Sequence, residues 1–126
     1  MKTLISLFTL LYISFSSTSF DKCIIELTKE DLRADKIELQ CNSFNDNKKF
    51  SIRGFSIKFP NHQAVIIEGS QLDLKTRSYI DDLKVGEMVS IFDIKSAYDG
   101  DQLITMNDIP SFYIKIIEKE NAAVIN

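Results

Sequence analysis

The sequence predicts a mainly β fold: a small antiparallel, immunoglobulin-like β-sandwich with one or two very short helices. Short apolar segments recur with turn signals between them, and several alternate apolar with polar residues, as half-buried strands do. Phenylalanine and β-branched residues are frequent, which suits a sheet-rich core. The helical stretches are too few and too short to supply the crossovers that a parallel sheet requires.

The N-terminus has the pattern of a signal peptide, residues 1–19. Lys2 supplies a positive start, residues 4–15 are mostly apolar, and small hydroxyl residues follow. We place cleavage after Ser19, with cleavage after Phe20 as the alternative. An uncleaved membrane anchor is the competing interpretation, but a spanning helix needs about 20 apolar residues and this run is shorter. We therefore expect a periplasmic or secreted protein with no stable membrane span.

The mature part, residues 20–126, has the length of a single domain. The whole chain carries a formal net charge of −3, and removal of Lys2 leaves the mature part more acidic. An acidic domain lacks the positive field that attracts nucleic-acid phosphates or anionic lipids. We therefore expect no nucleic-acid partner.

Cys23 and Cys41 are the only cysteines in the chain. An exported chain meets an oxidising compartment, so this pair predicts one disulfide. Two buried free thiols are the alternative. A redox role is disfavoured because the pair does not have the Cys-x-x-Cys spacing.

The first elements of the mature part are short. Thr28 with Asp31 three residues later is a near relative of the capping box, which predicts one or two helical turns through Arg33. Residues 37–41 alternate apolar and polar, which predicts a half-buried strand. The polar run 42–49 predicts a surface loop.

The clearest strand covers residues 50–59. Its apolar residues are Phe50, Ile52, Phe55, Ile57 and Phe59. Their alternation shifts by one residue at Gly54, which predicts a β-bulge that keeps all five on one face. The continuous apolar run 64–67 then predicts a strand covered on both faces, closed by Gly69.

A helical pattern follows in residues 72–84. The residues that share its apolar face are Thr76, Tyr79, Ile80 and Leu83. Gly86 is suited to the left-handed position after a helix C-terminus, so we expect it to end this helix. A strand over residues 88–94 comes next, with Val89, Ile91 and then Asp93 on one face.

The last part of the chain contains a hairpin and a final strand. Residues 98–101 include an Asp-Gly pair, which predicts a hairpin turn, and Leu103 begins a return strand. Residues 109–117 predict the last strand, where Pro110 favours an edge or entry position. We expect residues 118–126 to be a frayed tail.

The sequence contains no recognisable catalytic set, metal cluster or cofactor motif, so we expect no enzyme activity and no cofactor. His62 is the only histidine and has no nucleophile or acidic orienter suggested beside it. Asp81 and Asp82 are adjacent and would point about 100° apart on a helix. Asp99 and Asp101 lack the further oxygen ligands of a calcium loop, so a solvated turn is the better interpretation.

Two kinds of residue invite a functional interpretation beside a structural one. Asp93 stands where an inward apolar residue is expected, so its carboxylate either caps backbone donors or faces a partner. The phenylalanines could line a groove, although burial in the core is the more common fate of this residue. They are Phe50, Phe55, Phe59 and Phe92. A sugar-binding surface would need exposed aromatic residues on one face, for which Tyr98 and Tyr113 are the candidates.

Four segments follow one another as in the C-terminal domain of GldM, a gliding-motility and type IX secretion component. They are Leu27–Leu32, Phe50–Phe55, Ile67–Leu72 and Ile80–Lys95. The chain resembles that family over about the whole mature part. The resemblance implies a periplasmic, immunoglobulin-like, non-enzymatic domain that makes protein contacts.

Five residues form the structural signature that we take from these segments. They are Gly54, Gly69, Leu83, Gly86 and Asp93. The sequence thus predicts an exported protein-interaction domain, associated with gliding motility or type IX secretion, whose partner is a protein. The alternative is an exported glycan- or small-ligand-binding β-sandwich module.

Overall fold

A computed structural model describes residues 22–42, 44–105 and 109–119. The predicted signal peptide, residues 1–19, and its cleavage position lie outside the described residues. Most of the predicted tail, residues 118–126, lies outside them as well.

The described residues form nine strands, two α-helices and one 3₁₀ turn. The strands are β1 (Lys22–Leu27), β2 (Glu38–Leu39), β3 (Phe50–Arg53), β4 (Phe55–Lys58), β5 (Val65–Ile67), β6 (Met88–Phe92), β7 (Ser96–Asp99), β8 (Gln102–Leu103) and β9 (Ser111–Ile116). The helices are α1 (Lys29–Arg33) and α2 (Leu74–Asp81), and the 3₁₀ turn covers Asn45–Asn47.

The strands make two sheets that pack on each other. One sheet has five strands in the order β1-β9-β6-β4-β5, and the other has four in the order β2-β3-β7-β8. Buried aliphatic and phenylalanine side chains from both sheets form one core. The predicted small β-sandwich with very short helices is confirmed. All described strand pairs are antiparallel except β1 with β9, which run parallel.

The strand predicted over residues 50–59 crosses from one sheet to the other. It breaks at Gly54, so that β3 lies in the four-stranded sheet and β4 in the five-stranded sheet. Gly54 has φ 66°, and its N–H donates to the carbonyl oxygen of Gly69 (3.0 Å). The five predicted apolar residues are all buried. The one-residue phase shift therefore marks a corner between two sheets rather than a bulge within one ladder.

A second crossing lies beside the first. β6 ends at Phe92 and β7 begins at Ser96 in the other sheet. Asp93, between them, has φ 51°. The N–H of Lys95 donates to the carbonyl oxygen of Gly54 (2.6 Å), which ties the two crossings together.

Two sequence predictions about burial were wrong in part. The described residues of the run 42–49 are exposed or partly exposed, except Phe44, which is buried and packs edge-on against Phe50 (centroids 4.9 Å apart). The strand in 64–67 is not covered on both faces, because Ile66 is 76 % exposed at a sheet edge. Of the two positions predicted for Pro110, the structure shows the entry, because β9 begins at the next residue and lies inside its sheet.

The helix starts follow their local signals. Thr28 and Asp31 form a full capping box at α1. Asp73 caps α2 by accepting a hydrogen bond from the N–H of Thr76 (2.8 Å). Arg33 of α1 forms an ion pair with Asp81 of α2, which joins the two helices.

The predicted role of Gly86 at the end of the helix was wrong, although its positive φ of 97° was expected. α2 ends at Asp81, and Asp82 caps it in a right-handed conformation. Gly86 instead lies in a turn closed by a hydrogen bond from the N–H of Glu87 to the carbonyl oxygen of Lys84 (3.0 Å). The Gly86 N–H also donates to the carbonyl oxygen of Ile116 in β9 (2.8 Å), which holds this turn against β9 just before β6 begins.

The predicted disulfide is present between Cys23 and Cys41, with the Cα atoms 5.9 Å apart. Cys23 lies in β1 of the five-stranded sheet, and Cys41 follows β2 of the four-stranded sheet. The bond therefore joins the two sheets at the edge strands β1 and β2.

Candidate protein-binding surface

His62 lies against an aromatic ring. Its ring stacks on Tyr79, with centroids 3.7 Å apart and an angle of 15° between the planes. Tyr79 also contacts the ring of Phe59 edge-on at 5.7 Å. This arrangement packs the turn after β4 against α2 and gives the imidazole a structural contact.

The predicted acidic residues lie apart from one another. Asp81 is engaged with α1 through Arg33 and through its carbonyl oxygen, which accepts a hydrogen bond from Lys29 (2.9 Å). Asp99 ends β7 and pairs with Gln102 across the predicted hairpin turn, in which Asp101 follows Gly100. Within residues 22–42, 44–105 and 109–119, no group of three or more acidic, histidine or cysteine side chains is arranged to hold a metal ion.

The five signature residues divide between two corners of the sandwich. Gly54, Gly69 and Asp93 lie at the sheet crossing described above. Leu83 is buried after α2, and Gly86 lies in the next turn. The Asp93 side chain is exposed and accepts no hydrogen bond from the described part of the chain.

The candidate aromatic residues for sugar binding do not share a surface. Tyr98 pairs with Ser51 and Leu103 on the outer face of the four-stranded sheet. Tyr113 pairs with Ile24 and Ser90 on the outer face of the five-stranded sheet. Of the four phenylalanines, three are buried, and Phe92 is half-buried on the same outer face as Tyr113.

The outer face of the five-stranded sheet carries a set of exposed apolar side chains, which we call the apolar face. Its members are Ile24 (75 % exposed), Ile66 (76 %), Met88 (42 %), Phe92 (half-buried) and Tyr113 (37 %). Ile24 lies directly opposite Tyr113. Met88 is a diagonal neighbour of Tyr113 because it pairs with Lys115. Ile66 stands apart from the other four members, because Ser56 separates it from Phe92. Contiguous apolar side chains on an exposed face are typical of protein contact sites.

The edge strand β1 is longer than the other edge strands of the two sheets. β1 has six residues, whereas the other edge strands, β2, β5 and β8, have two or three each. Very short edge strands protect a sheet from pairing with another chain, and β1 lacks this protection.

The direction of the unpaired backbone groups of β1 follows from one hydrogen bond. The carbonyl oxygen of Leu27 accepts from the N–H of Ile117 (2.9 Å), so the backbone groups of Leu27 point toward β9. Because these groups alternate along a strand, Ile24 and Glu26 direct their N–H and C=O away from β9, to the free edge.

The space along this edge is open. A groove of about 600 Å³ runs beside Ile25–Leu27 and reaches Leu39 of β2. A second hollow of about 280 Å³ lies along Lys22–Ile25. The first lies between β1, α1 and β2, and the second lies between β1 and Gln40–Asn42, which follow β2, so the described residues leave open space beside the edge of β1.

Sequence reasoning singled out Tyr113 and Phe92 but missed the rest of this surface, because it assigned no strand to residues 22–27. The available signal was the apolar set Cys23, Ile25 and Leu27 at every second position, with charged residues at Lys22 and Glu26. It was weak because both faces of the strand carry an isoleucine, Ile24 outside and Ile25 inside.

No protein-family model and no curated protein matches this chain. The described residues contain no helix with the length and apolar character to cross a membrane.

Proposed function

We propose that this chain is an exported, non-enzymatic domain that binds another protein. The observation that carries the proposal is the apolar face, where four side chains are exposed on one sheet surface. Burial of an apolar side chain such as Ile24 against a partner stabilises the complex by about 25 cal/mol for each Å² removed from water. Within the described residues no group of three or more acidic, histidine or cysteine side chains is arranged to hold a metal ion, and we propose binding in preference to catalysis.

The compartment in the proposal is the periplasm or the exterior. The disulfide between Cys23 and Cys41 supports it, because such bonds persist in oxidising compartments. The predicted signal peptide supports it independently. Association with gliding motility or type IX secretion rests on the resemblance of the four sequence segments to GldM.

The test is capture of a partner by the tagged mature domain from cross-linked cell-envelope fractions. We expect one protein to be recovered specifically and its yield to fall several-fold with Met88→Lys. Leu103→Lys is the matched control, because Leu103 is also exposed (54 %) but lies on the other sheet. Recovery of the domain alone, or equal loss with both variants, would refute binding through the apolar face.

If the captured protein belongs to the secretion or gliding machinery, the association proposed from the resemblance is supported. A captured protein of another kind leaves the binding function standing and removes that association.

A further inference from the structure

We infer that β1 pairs with β1 of a second copy of this chain, so that two five-stranded sheets join into one. The inference goes beyond the proposed function, because it concerns association of the chain with itself through the sheet edge, where Ile24 is the one member of the apolar face that takes part. It rests on the backbone groups, the side-chain pattern and the openness of β1.

The backbone of β1 directs hydrogen-bonding groups to the free edge of the sheet. Ile24 and Glu26 direct their N–H and C=O groups to the free edge, and by the same alternation so does Lys22. An antiparallel copy centred on Ile24 would place these three residues in hydrogen-bonded pairs and form about six backbone hydrogen bonds.

The side chains of β1 are self-complementary in that register. With Ile24 opposite Ile24 of the second copy, Lys22 lies opposite Glu26, and the two-fold symmetry repeats this pair. All three side chains project from the outer face of the sheet. Opposite charges and apolar side chains placed directly across a strand pair are favourable, so this register satisfies every outward position.

The charged groups of Glu26 and Lys22 can form ion pairs with a second copy. Within the described residues Glu26 forms no ion pair. Lys22 lies over the ring of Tyr113 at 5.3 Å, a contact that holds its ammonium group on the outer face. Registers two residues away keep the same side chains on the outer face but place Ile24 opposite Glu26 or Lys22, so the register centred on Ile24 is preferred because it alone pairs unlike charges and like apolar side chains.

A second copy is favoured over an unrelated strand because a single segment supplies all of the complementary groups. The other edge strands are too short to form an equivalent ladder. In the resulting dimer the two apolar faces become continuous across the two Ile24 side chains.

The closing experiment is sedimentation equilibrium of the mature, oxidised protein over a wide concentration range. We expect a monomer–dimer equilibrium for the wild type. Glu26→Lys places lysine opposite lysine twice in the dimer and should weaken association about tenfold. Lys22→Glu should do the same by placing two glutamates opposite one another.

The combined variant Lys22→Glu with Glu26→Lys should restore the wild-type affinity, because it exchanges the two charges and keeps each pair. Lys58→Glu is the matched control, since it changes the net charge as Lys22→Glu does but lies on β4. Failure of the combined variant to recover, or a monomer at about 1 mM wild-type protein, would overturn the proposal.

Hydrogen exchange gives a second readout that does not depend on charge. The amides of Ile24 and Glu26 should exchange rapidly in dilute protein and more slowly as its concentration rises. Those of Ile25 and Leu27 point toward β9 and should be protected throughout. A dimer that leaves the Ile24 amide in fast exchange would show that association uses another surface.

Discussion

Gly54 occupies a position with little room for a side chain. A Cβ atom there would come within 2.9 Å of Cγ and 3.0 Å of Cβ of Lys95, and the backbone has φ 66°. Steric crowding and the left-handed backbone both act against any other residue. This explains why a glycine stands where the strand changes sheets.

Replacement of Gly54 by alanine should therefore lower the free energy of unfolding by about 1–3 kcal/mol, measured by urea denaturation. In Gly54→Ala combined with Lys95→Ala the contact with Cγ is removed, but the contact with Cβ and the backbone strain remain. We expect this pair to recover only part of the loss. Full recovery would show that crowding alone requires glycine.

Asp93 also has a positive φ, and aspartate tolerates this conformation better than most residues. Asp93→Val should lower the free energy of unfolding by about 1–2 kcal/mol, because a β-branched side chain is strained there. Asp93→Gly should be as stable as the wild type or more so. Equal stability of the valine and glycine variants in urea denaturation would contradict this account.

At the scale of elements, the N-terminus of α2 depends on one side chain. Asp73 accepts the hydrogen bond from Thr76 that would otherwise be missing at the start of the helix. Asp73→Ala should lower the melting temperature, whereas Asp73→Asn should retain most of the stability because asparagine also caps helices. A thermal melt of both variants, followed by circular dichroism, distinguishes loss of the cap from loss of the charge.

The sequence was sufficient to predict a structural feature where a residue determines the conformation of its own neighbours in the chain. The capping box at Thr28 and the hairpin turn at Gly100 lie where the sequence predicts them. The break at Gly54 was also predicted, but a bulge and a change of sheet shift the apolar alternation in the same way. Only the partners of β3 and β4 distinguish the two, and those partners are distant in sequence.

The candidate site was harder to predict for the same reason. β1 is an edge strand because β9 is its single neighbour among the described strands, and β9 is distant from it in sequence. The exposure of Ile66 likewise depends on β5 having a single neighbour, β4. Composition and alternation show which residues are apolar, but not which of them a distant strand leaves uncovered.

For the whole molecule, the Cys23–Cys41 bond connects the two sheets across a sequence separation of 18 residues. In the chain-entropy model a loop of this size contributes about 3 kcal/mol. The double variant Cys23→Ala, Cys41→Ala should be less stable by about this amount in urea denaturation. Reduced wild-type protein should match the double variant, and a double variant as stable as the oxidised wild type would contradict the account.

The parallel pairing of β1 with β9 has a mechanical consequence. Lys22 lies beside Ser111 at one end of this strand pair, and Leu27 lies beside Ile116 at the other. A force that pulls Lys22 and Ile116 apart acts along both strands, so it loads the hydrogen bonds between them together and cannot open them one at a time. The disulfide at Cys23 passes part of that load to the four-stranded sheet. The domain is therefore built to resist tension applied through its first and last strands.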